Sequence, residues 1–292
     1  MGTGVVKKIA CVLAVVVVPA VGGCRENLSP VAKELLERSG PYSPQTQRLL
    51  NQWLDLAQTA TKANPNLQQA IDLSDELVKA DPRSRMFILD ALSEPQLSPM
   101  AKIVARFSLQ AMGLDQPAID RLVVLAKPDA DLATRLCAVE LLGSIAGDSQ
   151  TALLESLLTD SNRQIRFVAT HALAVQDPKF RPNLRAFRSE PETTGDEKVT
   201  ITLALADGPA FDSLPVFHEV INNRSFGEPV KAVALHALSQ VGDSESLPAL
   251  AQCEQNDPNP TVRLAARTAI EAIEQRCDPS PVDAVPEATL ED

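Results

Sequence analysis

Residues 257–274 read DPNPTVRLAARTAIEAIE, and a related stretch, DSNRQIRFVATHAL, occupies residues 160–173. In both stretches an acidic residue precedes a basic residue by six positions. Apolar residues, mostly small, follow the basic residue by three, six and seven positions. These three positions lie within one stripe of a helix that has 3.6 residues per turn. Each stretch is therefore predicted to be a turn followed by an amphipathic helix.

The same pattern recurs six times along the chain, at intervals of 31 to 33 residues. The basic column consists of Lys102, Arg135, Arg166, Lys198, Lys231 and Arg263. Three positions later stand Ala105, Ala138, Ala169, Ile201, Ala234 and Ala266, and seven positions later stand Leu109, Leu142, Leu173, Leu205, Leu238 and Ile270. A period of this kind indicates an array of similar helical units that bury their apolar stripes against their neighbours. We number these repeats 1 to 6 by the basic column.

The turn before each helix carries a second column, which consists of Gln96, Asp129, Asp160, Glu192, Ser225 and Asp257. An acid in this turn can cap the following helix, and it can also reach the Lys or Arg of its own repeat or of the adjacent repeat. The sequence leaves both partners open. The predicted structural ladder of acids and bases consists of Asp129, Arg135, Asp160, Arg166, Glu192, Lys198, Asp257 and Arg263.

At these residues the chain resembles the HEAT-repeat proteins, and in particular the short units shared with phycobilisome-lyase-type repeats. Val262-Arg263 with Ala266, Ala269 and Ile270 is the clearest unit, and the resemblance covers about residues 81–274. Two departures are Glu197-Lys198, in place of an apolar-Arg pair, and Ser225 in place of the turn Asp. The resemblance implies an all-α fold, a right-handed α-solenoid of HEAT-like helical hairpins that is used mainly for protein recognition.

The composition agrees with helices and excludes some partners. Aromatic residues make up 3% of the chain and hydrophobic residues 45%, which favours closely packed helices over a β-sandwich. The formal charge of -11 argues against nucleic acid as a partner. We expect the solenoid to span residues 44–276, with N-terminal cap helices around Pro30 to Ser39 and around Trp53. Residues 277–292 are expected to be an acidic, proline-rich, disordered tail.

The first residues have the layout of a secretory signal. Lys7 and Lys8 precede an apolar run from Ile9 to Val18, and small residues lead to Cys24. The run is too short for a membrane-spanning helix, which makes a permanent transmembrane anchor the weaker interpretation. The sequence predicts a signal peptide over residues 1–23 and a lipidated N-terminus with a short tether over residues 24–43.

The tetrapeptide Val21-Gly22-Gly23-Cys24 resembles the lipobox of bacterial lipoproteins, although a residue slightly larger than Gly22 is commoner there. The resemblance implies cleavage before Cys24 and lipid attachment to its sulfur. Arg25, which is not Asp, then favours the outer membrane in a bacterium that has two membranes. The alternative is an ordinary secretory signal in which Cys24 is incidental.

The sequence contains no common catalytic motif. The strings GxGxxG, GxxxxGK, HExxH, CxxC and GxSxG are all missing. His171 and His236 are two repeats apart and cannot share a metal ion, and His218-Glu219 is one His-Glu pair where HEAT-repeat di-iron hydroxylases need several. Three cysteines remain after the signal and Cys24, and they support no disulfide framework. We therefore expect no catalytic residues, no metal and no cofactor.

A further column points away from the core stripe and is a candidate binding surface. The residue after each basic position is apolar in all six repeats, and the position four residues beyond it lies beside it on the helix. The candidate protein-binding groove consists of Ile103, Phe107, Leu136, Glu140, Phe167, His171, Val199, Leu203, His236 and Leu264. The alternative is that these residues are buried between adjacent helices.

Together these features predict a non-catalytic protein-binding scaffold that is lipid-anchored to the bacterial cell envelope. Its partners would be an unidentified protein or peptide of the envelope and, through the lipid, the membrane on its non-cytoplasmic face. Two alternatives stay open. One is an enzyme or enzyme subunit of the bilin-lyase-like class, which the secretion signal and the missing acid or nucleophile cluster argue against. The other is a structural assembly factor whose solenoid only spaces other components.

Overall fold

The computed structural model describes residues 30–38, 40–145 and 147–277, with side chains from residue 34 onward. This part of the chain contains fifteen α-helices and no strand. The helices are α1 (Pro30–Arg38), α2 (Pro44–Thr59), α3 (Leu67–Ala80), α4 (Ser84–Leu92), α5 (Pro99–Met112), α6 (Gln116–Leu125), α7 (Leu132–Gly143), α8 (Asp148–Leu157), α9 (Arg163–Gln176), α10 (Arg181–Arg188), α11 (Gly195–Ala206), α12 (Leu214–Asn222), α13 (Glu228–Val241), α14 (Leu247–Asn256) and α15 (Pro260–Cys277). The predicted signal peptide, Cys24 and the predicted tail after Cys277 lie outside the described residues.

Each repeat is a helical hairpin that consists of a short first helix and a longer second helix. The second helices α5, α7, α9, α11, α13 and α15 carry the basic column, and the first helices are α4, α6, α8, α10, α12 and α14. The two helices of a hairpin contact each other, and each second helix also contacts the second helix of the next repeat. This nearest-neighbour arrangement is that of an α-solenoid, as the sequence predicts.

The core follows the predicted helical stripe. The residue three positions after each basic residue is fully buried in all six repeats. The residue seven positions after it is fully buried in repeats 1 to 5, whereas Ile270 of repeat 6 is only partly buried. An inner second helix is covered by neighbouring repeats on both sides, whereas α15 is covered on one side. The partial exposure of Ile270 therefore follows from its place in the last repeat of the described chain.

Small residues let adjacent second helices approach closely. A Cβ atom added to Gly143, at the end of α7, would lie 2.4 Å from the Cβ of Ala172 on α9. No unbonded pair of carbon atoms tolerates that distance. Gly143 is therefore required by the close contact between α7 and α9, while Gln176 strengthens it by donating from Nε2 to the Gly143 carbonyl at 2.6 Å.

Polar side chains at the predicted turns start several of the helices. Ser98 Oγ accepts from Ala101 N at 3.1 Å at the start of α5, and Asp115 Oδ1 accepts from Ala118 N at 3.0 Å at the start of α6. Thr194 and Glu197 form a reciprocal capping box at the start of α11. Such caps satisfy backbone N–H groups that have no partner within the helix.

An aromatic cluster closes the N-terminal end of the core. Trp53 of α2 is fully buried, and its Nε1 donates to Ser108 Oγ of α5 at 2.8 Å. Phe87 of α4 packs edge to face with both Trp53 and Tyr42. Leu35 of α1 is also fully buried. Helix α1 thus lies where the sequence predicts an N-terminal cap helix, and it contacts α2 and α4.

Candidate functional site

The basic column forms joints between successive repeats. Lys102 of repeat 1 is almost fully buried, and its Nζ donates to Asp131 Oδ2 at 2.6 Å and to Thr134 Oγ1 at 2.7 Å in repeat 2. Thr134 Oγ1 in turn donates to the Leu92 carbonyl of repeat 1 at 3.0 Å. A buried ammonium needs such partners because an unpaired charge in the interior costs several kcal/mol. This network ties repeats 1 and 2 together.

The joint between repeats 2 and 3 uses an arginine in the same place. Arg135 Nη2 lies 2.5 Å from Asp160 Oδ2, and Arg135 Nε donates to the Ala126 carbonyl at 3.2 Å. Both side chains of this ion pair are 8% exposed. The pair is therefore largely desolvated, which makes the loss of one partner far more costly than the loss of a surface ion pair.

The joint between repeats 5 and 6 repeats this arrangement at the other end of the molecule. Lys231 Nζ donates to Asp257 Oδ2 at 2.5 Å, and both side chains are buried. In all three joints the cation comes from the earlier repeat and the acid from the turn of the next repeat. The sequence leaves open whether each acid pairs within its own repeat or with the adjacent repeat. For Asp160 and Asp257 the structure shows pairing with the cation of the adjacent repeat.

The pKa values of the joint carboxyl groups are lowered. Burial favours the protonated form of Asp131, Asp160 and Asp257, but hydrogen bonds from the paired cation and from backbone N–H groups outweigh it and lower each pKa. The partners responsible are Lys102 for Asp131, Arg135 for Asp160 and Lys231 for Asp257. These carboxylates therefore stabilise the folded state as anions.

Within its own repeat, the basic residue binds the turn backbone instead of the acid. Arg166 Nη1 donates to the Asp160 carbonyl at 2.9 Å, and Arg263 Nη1 donates to the Asp257 carbonyl at 2.8 Å. The Asp160 carboxylate instead accepts from Arg135 through Oδ2 and from Asn162 N through Oδ1. The within-repeat pairs Asp160 with Arg166 and Asp257 with Arg263 are thus linked through carbonyl oxygens.

The structure also corrects the capping role that the sequence predicts for Asp160. Asn162 is the N-cap of α9, and its Oδ1 accepts from Gln164 N at 2.9 Å. Asp160 lies two residues earlier, where its Oδ1 accepts from Asn162 N at 2.8 Å. Asp257 and Asn259 repeat this arrangement before α15. The acid shapes the turn and the asparagine caps the helix.

Two other predicted ladder acids are replaced by near neighbours. Asp131, rather than Asp129, caps α7 and binds Lys102. Near Glu192, the acids that form ion pairs are Glu190 and Glu197. Lys198 contributes its carbonyl oxygen, which accepts from Arg188 Nη1 at 3.0 Å. The N-cap stands four positions before the basic residue in these repeats, and in repeat 2 this residue, Asp131, is itself the acid that faces the cation.

The joint between repeats 3 and 4 is built around Arg163, a residue that the column analysis misses. Its Nη1 lies 2.7 Å from Glu197, its Nε 3.2 Å from Glu190, and its guanidinium is 4.8 Å from the ring centre of Phe187. The Phe187 ring also packs against Phe167 at 5.4 Å between ring centres. In this joint, the ion pairs of Arg163 with two glutamates and an aromatic pair thus take the place of the buried ion pair seen between repeats 2 and 3.

The short helix α10 carries a row of arginines whose partners lie in the turn after α11 and in repeat 5, so they contribute to the joint between repeats 4 and 5. Arg181 donates to the Gly208 carbonyl, Arg185 Nη2 donates to Asp212 at 2.6 Å, and Arg188 is 5% exposed. Arg188 Nη2 lies 3.2 Å from Glu219 but without hydrogen-bond geometry, and its Nε has no partner. Spacings of four and three residues place the three side chains on one face of α10, a signal that was visible in the sequence.

The ten residues of the predicted groove do not form one open surface. Leu136, Phe167 and Val199 are partly buried and pack against the core. Ile103, Phe107 and His171 are also partly buried, whereas Glu140 and His236 are exposed. The exposed apolar members are Leu203, at 44%, and Leu264, at 63%. Because Phe167 packs against Phe187 of the next repeat and the other inner apolar members are only partly exposed, the ten residues do not line an evenly exposed apolar groove.

With this geometry established, the chain can be compared with known proteins. A family model described as HEAT repeats matches residues 183–271, which run from α10 into α15. Those residues are similar to HEAT repeats. Together with the hairpins that precede them, they make the described chain an all-α solenoid of the HEAT type.

One similar solved structure is that of human deoxyhypusine hydroxylase in complex with glycerol. It is 17% identical, covers 84% of this chain and 97% of its own, and superposes with a TM-score of 0.34. No curated protein sequence is significantly similar to this chain.

Within the HEAT repeats, His218, Ser246 and Asp243 form a polar cluster that resembles a catalytic triad in composition only. Ser246 Oγ donates to Asp243 Oδ1 at 3.1 Å, and His218 Nε2 lies 3.0 Å from the same hydroxyl. A nucleophilic serine must give its proton to the histidine and face the substrate. Here the proton points to the aspartate and Ser246 is fully buried, so the cluster caps the short turn before α14.

Two cysteines of the described residues, Cys137 and Cys253, are buried. Cys137 is buried, which raises the pKa of its thiol to about 12, and burial also raises the pKa of Cys253. A protonated, buried thiol is unreactive. Across residues 34–277, leaving out the two gaps, no group of three or more His, Cys, Asp or Glu side chains is placed to hold a metal ion. None of the described helices is long and apolar enough to cross a membrane.

Proposed function

We propose that this protein is a lipid-anchored, non-catalytic scaffold of a bacterial cell envelope, whose HEAT-repeat body binds a protein partner. HEAT repeats generally mediate protein–protein interactions, which supports a protein partner in general. The observation that carries the proposal is the position of the lipobox-like residues Val21-Gly22-Gly23-Cys24 just before the helical body.

The spacing between Cys24 and the body supports this arrangement. Helix α1 begins at Pro30, six residues after Cys24. Six residues span at most about 20 Å when fully extended. A lipid on Cys24 would therefore hold the first hairpins within about 20 Å of the membrane surface. Without residues 1–23 the formal charge is 25 minus 38, or -13, so an acidic body would depend on the lipid for attachment to anionic membranes.

The lipid anchor is tested by the substitution Cys24→Ser in the full chain. Because the thioether-linked lipid supplies the membrane affinity in this proposal, the variant should lose palmitate labelling and leave the membrane fraction or remain unprocessed. Cys11→Ser, which alters a cysteine of the predicted signal peptide, is the matched control and should behave like the unmodified chain. Normal processing and membrane attachment of the Cys24→Ser protein would refute the lipid anchor.

The protein partner is tested by capture. The full chain, isolated with its membrane after chemical crosslinking, should retain one or a few envelope proteins in defined amounts. One outcome is a chain that is attached to the membrane through Cys24 and still captures only its own copies. That outcome would indicate a spacer role instead of a binding role. The two experiments thus test location and partner binding independently.

A further inference from the structure

A small cavity of about 90 Å³ lies at the joint between repeats 5 and 6, beside the buried pair of Lys231 and Asp257. It is bounded by the C-terminal end of α12, the turn that follows α12 and the C-terminal end of α14. Its walls include Ile221, Asn222, Arg224, Lys231, Cys253 and Asp257. The cavity is large enough for a few water molecules or for one small organic group.

The ammonium group of Lys231 has more donors than the joint uses. A lysine ammonium carries three N–H donors, and the acceptor that the structure shows for Lys231 Nζ is Asp257 Oδ2, at 2.5 Å. At the joint between repeats 1 and 2, Lys102 also donates to Thr134 Oγ1, but the corresponding residue of repeat 6 is Val262, which has no acceptor in its side chain. Two N–H groups of Lys231 therefore have no acceptor among the described residues.

The joint between repeats 2 and 3 shows why this joint contains a cavity. There Arg135 also donates from Nε to the carbonyl of Ala126, nine residues earlier. The residue nine positions before Lys231 is Asn222, which lines the cavity. Lysine lacks the planar guanidinium fork that makes this second contact. The cavity therefore lies where the larger head group of an arginine would fill the joint.

We propose that this cavity is a binding site for a small carboxylate. Arg224 is the exposed cation of its wall and forms no ion pair with a described acid. The Arg224 guanidinium and the two remaining N–H groups of Lys231 are donors of the kind that bind carboxylate oxygens most strongly. Beside them, the buried side chains of Ile221 and Cys253 offer an apolar wall to a methyl group. A carboxylate with a short apolar substituent, such as acetate, matches both features.

The charge of the cavity wall favours an anion. The wall contains two cations and one acid, in a chain whose formal charge is -11. The acid, Asp257, does not exclude a second carboxylate, because its Oδ1 accepts from Asn259 N and its Oδ2 from Lys231. The ammonium of Lys231 can thus bind the two carboxylates with different N–H groups.

Nuclear magnetic resonance of the isotope-labelled full chain tests this inference, with sodium acetate as the probe. Acetate should shift the backbone amide signals of residues 221–231 and 252–259 in a saturable way, and sodium chloride at the same concentration should not. The backbone amides of α5, at the other end of the molecule, should respond to neither salt. Shifts that chloride reproduces, or no saturable shift in these two ranges, would overturn the proposal.

A free small acid and the C-terminus of a peptide both carry such a carboxylate, and a dipeptide distinguishes them. N-acetyl-alanyl-alanine should bind more tightly than acetate if the site accepts peptide ends, and more weakly if it accepts free small acids. The C-terminal amide of this dipeptide lacks the carboxylate and should not bind in either case. An amide that binds as tightly as the acid would show that the site does not recognise a carboxylate.

Two variants test the two cations. Lys231→Arg keeps the pair with Asp257 but should fill the cavity, so it should abolish the acetate shifts without lowering the urea midpoint. Arg224→Gln should weaken acetate binding about tenfold, because a charge-assisted hydrogen bond is lost. Lys127→Gln, which alters an exposed lysine in the corresponding turn of repeat 2, is the matched control and should leave the affinity unchanged. Undiminished acetate binding by Lys231→Arg, or equal affinities for Arg224→Gln and Lys127→Gln, would contradict the site.

Discussion

The joint between repeats 2 and 3 and the joint between repeats 3 and 4 share helix α9 but differ in chemistry. The first has a buried pair, Arg135 with Asp160, and a close contact between Gly143 and Ala172. The second has the partly exposed Arg163 network and the aromatic pair of Phe167 and Phe187. Helices α9 and α11 also meet less extensively than α7 and α9. One fold thus joins its repeats either by a desolvated ion pair or by a polar seam.

The largest difference should come from removing the cations. Arg135→Met leaves the Asp160 carboxylate buried without its partner and should lower the free energy of unfolding by about 3–5 kcal/mol. Arg163→Met removes contacts that water partly replaces and should cost about 1–2 kcal/mol. Urea unfolding followed by circular dichroism measures both. Equal losses would show that the two joints do not differ in the way that their burial indicates.

The aromatic pair is the apolar part of the polar seam. Phe167→Ala should cost about 2–3 kcal/mol, because the ring packs against Phe187 and against the core. Leu203→Ala on α11 removes a side chain that is 44% exposed and should cost well under half as much. If thermal melting shows equal losses of stability for Phe167→Ala and Leu203→Ala, Phe167 is more exposed to solvent than its burial in the structure indicates.

The close contact at the first joint can be tested with a single methyl group. Gly143→Ala places a carbon 2.4 Å from the Cβ of Ala172 and should cost about 1–2 kcal/mol, even though alanine favours a helix. Gly195→Ala, at the start of α11, meets no atom within 4 Å and should leave stability nearly unchanged or slightly raised. Combining Gly143→Ala with Ala172→Gly should restore part of the loss, and its failure to do so would argue against a direct clash.

The smallest effect concerns pH. Burial lowers the pKa of His171, which lies beside Phe167, so the folded chain keeps it neutral below the usual histidine pKa of about 6.5. The unfolded chain binds the proton there, and stability should decline as the pH falls below about 6.5. Asp160, whose pKa is lowered, stabilises the fold above the usual carboxyl pKa of about 4 and loses this effect as the pH falls further.

Urea midpoints at several pH values separate these two contributions. His171→Gln should reduce the decline between about pH 6.5 and 4.5. His236→Gln, which alters an exposed histidine of α13, is its control. Asp160→Asn should reduce the decline below pH 4 without changing the first one. If the urea midpoints of His171→Gln depend on pH as those of the unmodified chain do, His171 does not contribute to the pH dependence of the polar seam.

The fold could be predicted from the sequence because its strongest signals are periodic. Alanine or another apolar residue three, six and seven positions after the basic column fixes the buried stripe, and all six residues at the first of these positions are fully buried. A repeat array needs only local periodicity to specify each hairpin and its neighbours.

The partners within the joints could be predicted only in part. The column analysis identifies Arg135 and Asp160 but cannot choose between pairing within a repeat and pairing across repeats, because both distances depend on how the hairpins stack. It misses Asp131 because that acid stands at the N-cap, four positions before Arg135, and the acidic column lies six positions before the basic residue. It also treats Phe167 as a groove residue, since helix periodicity gives a side chain's direction but not whether the next hairpin covers it.

In the joints built on ion pairs, the earlier repeat supplies the cation and the next repeat supplies the acid. This order limits how such an array can gain or lose a hairpin. The hairpin of α6 and α7 brings its own acid, Asp131, to receive the preceding cation, and its own cation, Arg135, for the next turn. A tandem copy of it would find matching chemistry on both sides. The hairpin of α10 and α11 receives Arg163 through Glu190 and Glu197, and the buried cation that it offers to the next repeat, Arg188, comes from its first helix instead of its second. Duplication would therefore be tolerated unequally along the chain, so the repeats are not interchangeable modules.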